Sequence, residues 1–159
     1  VAERQESEGG LERARKKAMQ LLRVKLRSTA ELRARLGAKG FAADDIEMVL
    51  GELARARVLD DAALAEADVR RIKERGPVGA GAMRAKLERR GLNARGLGDD
   101  AGSSPEDVRA FAVKKLATMS AKVSDKAKAR RLFGLLARRG IDVEMAMEIV
   151  EQLTGVRGS

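Results

Sequence analysis

The chain is predicted to be all-α: three tandem three-helix repeats forming an elongated rod. Three observations predict it. First, a pattern of apolar-x-x-x-Leu-x-x-(Lys/Arg)-Gly-apolar occurs three times: Leu32, Leu36, Lys39, Gly40, Phe41; Met83, Leu87, Arg90, Gly91, Leu92; and Leu132, Leu136, Arg139, Gly140, Ile141. Its glycines, at 40, 91 and 140, stand 51 and 49 residues apart, and a fixed period of that size marks a repeat architecture. Second, Ala, Leu, Arg, Lys, Glu and Met dominate the composition, β-branched runs are absent, and Phe41, Phe111 and Phe133 are the only aromatic residues. That balance favours helix over strand. Third, Ala146, Ile149, Val150 and Leu153 fall at the offsets of Ile46, Val49, Leu50 and Leu53, so the repeat is more than a shared helix end. Stacked repeats present long surfaces to partners rather than enclosed pockets.

The elements follow in order. Residues 1–10 read as a disordered lead. From Leu11, the spacing of Ala14, Ala18, Leu21, Leu22 and Leu26 predicts a helix over 11–26. Ser28 and Glu31 form a capping box for a helix over 29–39. Gly40 suits the left-handed position after its end, and Phe41 can pack back on it. Asp44 and Asp45 favour the start of a third helix, 43–56, which buries Ile46, Val49, Leu50 and Leu53. The first repeat is therefore 11–58. Asp60 caps a helix carrying Leu64, Ala65, Val69 and Ile72, and Gly76-Pro77 stops it. The second repeat, 59–98, continues with a helix from Ala80 to Arg90 and a weak third helix after Asn93, where Gly96, Gly98 and Gly102 intervene. Residues 98–105, GDDAGSSP, are the clearest linker, centred on 99–104. The third repeat, 105–154, opens with Ser104 as N-cap and Pro105 in the first turn. Val108, Phe111, Ala112, Leu116 and Met119 give its first helix, Asp125 starts the second, and the last covers 143–153. Residues 155–159 form a tail. At 1.5 Å per residue, three such units end to end would span about 60–80 Å.

Composition excludes several kinds of chemistry. There is no Cys and no His, which removes disulfides, thiolate metal sites, the usual general base and the commonest metal ligand. Asp44-Asp45, Asp60-Asp61 and Asp99-Asp100 could be read as Mg²⁺ ligands or acid–base pairs, but all three sit at predicted helix starts, where acidic residues complement the dipole. Residues 76–81, GPVGAG, lack the Lys-Ser/Thr of a phosphate-binding loop. No catalytic residue, cofactor or metal site is predicted, and the chain is expected not to be an enzyme. No apolar stretch approaches the ~18 residues of a membrane span, and the first ten residues carry no signal-peptide pattern. A cytoplasmic protein is expected, with no membrane partner. Position 1 is Val, so either an initiator Met has been removed or further chain precedes it.

The net charge of +9 and the pI of about 10.3 favour polyanions, either nucleic acid or an acidic protein surface. The plainer reading is a charged surface that keeps helices soluble. Lys39, Arg90 and Arg139 recur at one repeat position in the last turn of a helix, where a cation complements the dipole. Around them are Arg33 and Arg35; Arg84, Lys86 and Arg89; and Lys128, Arg130, Arg131 and Arg138. Arg70, Arg71, Lys73 and Arg75 add a cluster before Gly76. Together these residues are candidates for a basic stripe that contacts phosphates or an acidic groove. Base stacking is not expected, because the three Phe occupy core-like positions. Phe133 stands at the repeat position of Arg33 and Arg84, so it either faces outward or packs against a neighbouring unit.

These residues resemble the RecX family of bacterial recombination regulators. The match covers about 12–153. Its pieces are Ser28-x-x-Glu31-Leu32-x-x-x-Leu36-x-x-Lys39-Gly40-Phe41, Val58-Leu59-Asp60-Asp61-x-x-Leu64-Ala65, Gly79-x-x-x-Met83-x-x-x-Leu87-x-x-Arg90-Gly91-Leu92, and Leu136-x-x-Arg139-Gly140-Ile141. Leu64 stands where the family often has Phe, and the segment after Gly76 is glycine-rich where the family is bulkier. The resemblance implies three three-helix repeats in a modular, curved rod. It also implies binding to RecA and to RecA–single-stranded DNA filaments, lying in the helical groove. Blocked filament extension or promoted disassembly would then lower ATP hydrolysis, strand exchange and co-protease activity. It brings no cofactor and no catalytic residues. A monomer is expected. The alternative is a direct nucleic-acid binder whose hairpins mimic helix-turn-helix units; weak direct DNA contact is compatible with either reading.

Overall fold

Helix ends are where this sequence is most explicit, and they set the element order. The computed structural model describes residues 2–156, with side chains from residue 9 onward other than Asp99; Val1 and residues 157–159 of the predicted tail lie outside the described residues. The helices are α1 (Ala2–Val24), α2 (Thr29–Gly37), α3 (Ala43–Arg55), α4 (Asp61–Glu74), α5 (Ala80–Glu88), α6 (Pro105–Ala117), α7 (Asp125–Arg138) and α8 (Val143–Thr154), with a 3-10 turn at Asp99–Ala101. No strand occurs among the described residues.

The capping chemistry is local and complete. Ser28 Oγ accepts from the Glu31 amide at 3.0 Å, and the Glu31 carboxylate accepts from the Ser28 amide at 2.9 Å. The Asp60 carboxylate accepts from the Ala63 amide at 2.9 Å, and Ser104 Oγ from the Asp107 amide at 3.2 Å. Each such cap satisfies amides that have no partner within the helix. At the other end, the three pattern glycines have φ of 80°, 69° and 69° (Gly40, Gly91, Gly140). Phe41, Leu92 and Ile141 then donate back to Leu36, Leu87 and Leu136 at 3.4, 3.1 and 3.2 Å, while the glycine amides donate to Gly37, Glu88 and Ala137. This is the Schellman arrangement. It explains the pattern's spacing: Leu and the residue after Gly are the pair that close over the helix end.

Two hydrophobic clusters follow from these ends. One joins Ala14 and Ala18 of α1, Leu32 and Leu36 of α2, and Ile46, Val49, Leu50 and Leu53 of α3, with Phe41 packed against it. The other joins Val108 and Ala112 of α6, Leu132 and Leu136 of α7, and Ala146, Ile149 and Val150 of α8. Phe111 and Phe133 pack against this second cluster, so Phe133 serves the core of its own three helices. The chain divides into two units, one of residues 1–68 and 87–93, the other of residues 69–86 and 94–159. The division does not follow the repeat boundaries, because α4 and α5 are each shared.

Two expectations are corrected. The lead is not disordered from residue 2 onward, since α1 begins at Ala2; the sequence there, Ala-Glu-Arg-Gln-Glu, is made of good helix formers. The weak helix after Asn93 does not form. Leu97 closes a turn onto Ala94 at 3.1 Å, and only the 3-10 turn follows, as expected of a stretch where three glycines raise the entropic cost of helix. The predicted linker, whose mobility the sequence leaves open, is tied down. The Ser103 amide donates to Val78 O at 2.8 Å, the Val78 amide donates to Ser103 Oγ at 3.0 Å, and Ala101 is buried.

Leu87 is 1% exposed. Leu87→Ala is expected to destabilise the protein by about 2–5 kcal/mol, as buried Leu truncations do. Urea unfolding followed by helical circular dichroism checks this; a shift too small to resolve would contradict the burial.

Candidate partner-binding surface

The predicted basic stripe divides into cations that face solvent and cations that hold the fold together. Arg35 and Lys39 after the middle of α2, Arg70 and Lys73 on α4, Lys86 and Arg89 at the end of α5, and Arg130, Arg131 and Arg138 on α7 are exposed. Their side chains make no ion pair among the described residues. Arg71 is also exposed. Arg131 and Arg138, seven residues apart, share one face of α7.

Arg33 is exposed but engaged. Its Nε and Nη2 donate to the two Glu47 oxygens at 2.6 and 3.0 Å. The bonds from Arg33 lower the Glu47 pKa and those from Glu47 raise that of Arg33, though a pair this open to water stabilises little. Arg84 is half-buried, and its Nε donates to Leu97 O at 3.3 Å, holding the turn that replaces the missing helix.

Arg90 and Arg139 are structural. Arg90 Nε and Nη2 each reach a Glu31 oxygen at 2.9 Å, Nη2 also donates to Leu26 O at 3.1 Å, and Nη1 pairs with the buried Asp68 carboxylate. The Arg90 carbonyl accepts from Ser28 Oγ. The Arg90 hydrogen bonds hold the Glu31 carboxyl below its ordinary 4.5, and those from Glu31, then Asp68, raise Arg90 further above the physiological range. Arg139 repeats the arrangement with different partners. Its carbonyl accepts from the Gly79 amide at 3.0 Å, Nη1 donates to Pro77 O at 3.2 Å, and the guanidinium lies 4.6 Å from the Phe111 ring centroid. A Cβ at Gly79 would fall 1.6 Å from the Gly140 carbonyl oxygen, so the glycine-rich departure after Gly76 is a site of direct backbone contact. Lys39, at the same repeat position, is exposed. Dipole complementarity therefore describes Lys39 but is a minor part of what Arg90 and Arg139 do.

Sequence reasoning missed Asp68 and the second role of Glu31. Asp68 left a signal: it lies four residues after Leu64 and four before Ile72, on the apolar stripe of α4, where an unpaired carboxylate would be costly. No cluster of carboxylates able to hold a metal occurs among the described residues, and none of the described helices is long and apolar enough to cross a membrane.

The model for the RecX first three-helix domain matches residues 14–53, which runs from Ala14 to Leu53, both members of the first core cluster. A regulatory protein RecX of Corynebacterium efficiens is 37% identical over 147 residues, spanning 87% of this chain and 70% of its own length. One from Amycolatopsis mediterranei is 31% identical, spanning 88% and 82%. The chain belongs to the RecX family. The crystal structure of RecX from Lactobacillus salivarius superposes with a TM-score of 0.73 at 19% identity, over 93% of this chain and 99% of that one. That RecX fold is thus shared at low identity, and the RecX-named relatives carry a regulatory designation.

Removing one partner of a largely buried ion pair strands the others. Arg90→Ala is expected to cost about 3 kcal/mol, against no more than about 0.5 kcal/mol for Lys39→Ala, read from urea midpoints. Because Glu31 is depressed in the folded state, its stabilisation is complete above about pH 4.5 and is lost as pH falls through its folded value. The stability difference between wild type and Glu31→Gln should therefore shrink on acidification below pH 4.5; a constant difference would contradict the ionised pair.

Proposed function

We propose that this chain is a negative regulator of the RecA recombinase. It binds RecA and RecA–single-stranded DNA filaments in the helical groove. By blocking extension or promoting disassembly it lowers ATP hydrolysis, strand exchange and co-protease activity. Membership of the RecX family carries this reading, supported by the exposed Arg35, Arg70, Lys73, Arg130, Arg131 and Arg138, which make no ion pair among the described residues. We further propose three repeats, 11–58, 59–98 and 105–154, acting as a cytoplasmic monomer. The second reading, a direct nucleic-acid binder with helix-turn-helix-like units, draws on the net charge of +9.

Stoichiometry separates the two. Single-strand-dependent ATP hydrolysis by the cognate RecA, titrated with this protein at near-physiological salt, should fall well below one molecule per RecA subunit. Inhibition that appears only when the DNA itself is saturated would favour the direct binder. Arg131→Glu combined with Arg138→Glu should raise the concentration needed for inhibition by about an order of magnitude, with helicity unchanged. Unaltered inhibition would remove α7 from the contact surface.

A further inference from the structure

The two structural arginines differ in one respect that matters electrostatically. Arg90 is met by the carboxylates of Glu31 and Asp68. Arg139 is met only by the carbonyls of Arg75 and Pro77 and by the Phe111 ring, and it makes no ion pair among the described residues. The cause lies in the sequence: Glu31 stands 51 residues before Ala82, as Gly40 does before Gly91, so the second repeat lacks the carboxylate that the first supplies. A guanidinium held by carbonyls keeps its unit positive charge, which no carboxylate cancels.

That charge has an outlet. Gly76, with φ 118°, and Phe111 lie directly against Arg139; a Cβ at Gly76 would sit 2.8 Å from Arg139 Nη1 and 3.2 Å from the Phe111 ring. Residue 76 therefore places no side chain between the guanidinium and the space beyond it. Gly76 and Phe111 line an open cleft of about 540 Å³. Lys73 and Arg75 at the end of α4 and Lys114 on α6 stand on its rim, together with Glu74 and Asp107. All five are exposed. Cations outnumber carboxylates on the rim, and Arg139 adds a further positive charge behind it.

We propose that this cleft binds phosphodiester groups of a nucleic-acid strand directly, without the recombinase. The planar fork of Arg75 and the mobile ammonium groups of Lys73 and Lys114 suit phosphate oxygens. Arg70 continues the positive charge along α4, which matches a ligand whose charges recur along one polymer. Base stacking takes no part, because Arg139 at 4.6 Å and Lys115 at 5.4 Å already engage the Phe111 ring. Binding is therefore indifferent to sequence. An acidic peptide fits less well, since peptide recognition leans on an apolar anchor in a pocket, and the apolar lining is a buried Pro77 and a ring already covered. This site goes beyond the recombinase reading and does not depend on it.

The test is fluorescence anisotropy of a labelled single-stranded oligonucleotide with the full chain, without recombinase, across a salt series. Lys73→Glu with Lys114→Glu should weaken binding by at least about tenfold and reduce the log–log salt slope by about 1.4, at about 0.7 per phosphate contact. Arg13→Glu with Lys16→Glu, an equal charge change at exposed positions of α1, should weaken it by no more than about threefold near 0.15 M salt, where screening is strong beyond ~8 Å. If charge reversal alters the melting curve, Lys73→Gln with Lys114→Gln reads the same site with half the charge change. Equal losses in the two reversal variants would overturn the site, leaving only net charge. Displacement of the oligonucleotide by polyglutamate at matched charge would overturn it in favour of an acidic peptide. Inhibition of RecA ATP hydrolysis is read in its own assay, so either result leaves the recombinase reading to stand or fall separately.

Discussion

A helix that ends by turning left-handed at glycine is the constraint on which most of this structure depends. At φ near 69°, Gly91 and Gly140 turn the preceding Arg carbonyl outward, where it accepts from Ser28 Oγ or from the Gly79 amide. Any other residue in that conformation would cost of order 1 kcal/mol or more, and the carbonyl would lose its donor as the turn relaxed. The same turn brings Leu87 and Leu92, or Leu136 and Ile141, over the helix end, so one local geometry closes a helix, seals a core and presents a docking group. Because the arginine immediately precedes the glycine, its side chain is carried to the same contact.

This geometry separates structural from functional charge in a way that composition cannot. Arg90 and Arg139 belong to the same basic surface in sequence as Arg89 and Arg138, their immediate neighbours. One residue's rotation about the helix end sends the first pair inward to carbonyls, carboxylates or an aromatic ring and leaves the second in water. The count of 33 Lys and Arg residues therefore overstates the cations available to a partner, since Arg90 is neutralised internally by two carboxylates and Arg33 by Glu47. On α2 and α7 the remaining cations lie on exposed helix faces whose apolar sides are committed to the two core clusters.

Most of the fold was legible because its determinants are short-range. The capping box at Ser28 and Glu31, Pro105 in the first turn of α6, and the apolar faces of α3 and α8 all depend on residues within about one or two turns. The functional split was not legible for the opposite reason. Arg90 finds Asp68 at a separation of 22 residues and Glu31 at 59, and no periodicity encodes such a meeting. The missing helix after Asn93 sits between these cases. Its glycines were visible, but whether the segment forms a poor helix or a pinned turn depended on Arg84, which reaches Leu97 O from α5.

The three copies of the pattern also bear on how far a repeat carries meaning. Lys39, Arg90 and Arg139 share position, helix end and glycine, yet one is solvated, one is doubly ion-paired and one is held by carbonyls. What varies is the partner supplied by residues outside the pattern: Glu31 and Asp68 for Arg90, the Arg75 and Pro77 carbonyls and the Phe111 ring for Arg139. The backbone geometry is fixed by the pattern itself, which is consistent with a RecX fold retained at 19% identity. The electrostatics are fixed by neighbours that can change singly without disturbing that geometry. A difference as small as Glu against Ala at one repeat position can therefore turn a neutralised latch into a source of positive potential beside an open cleft, leaving the helix end that carries it unchanged.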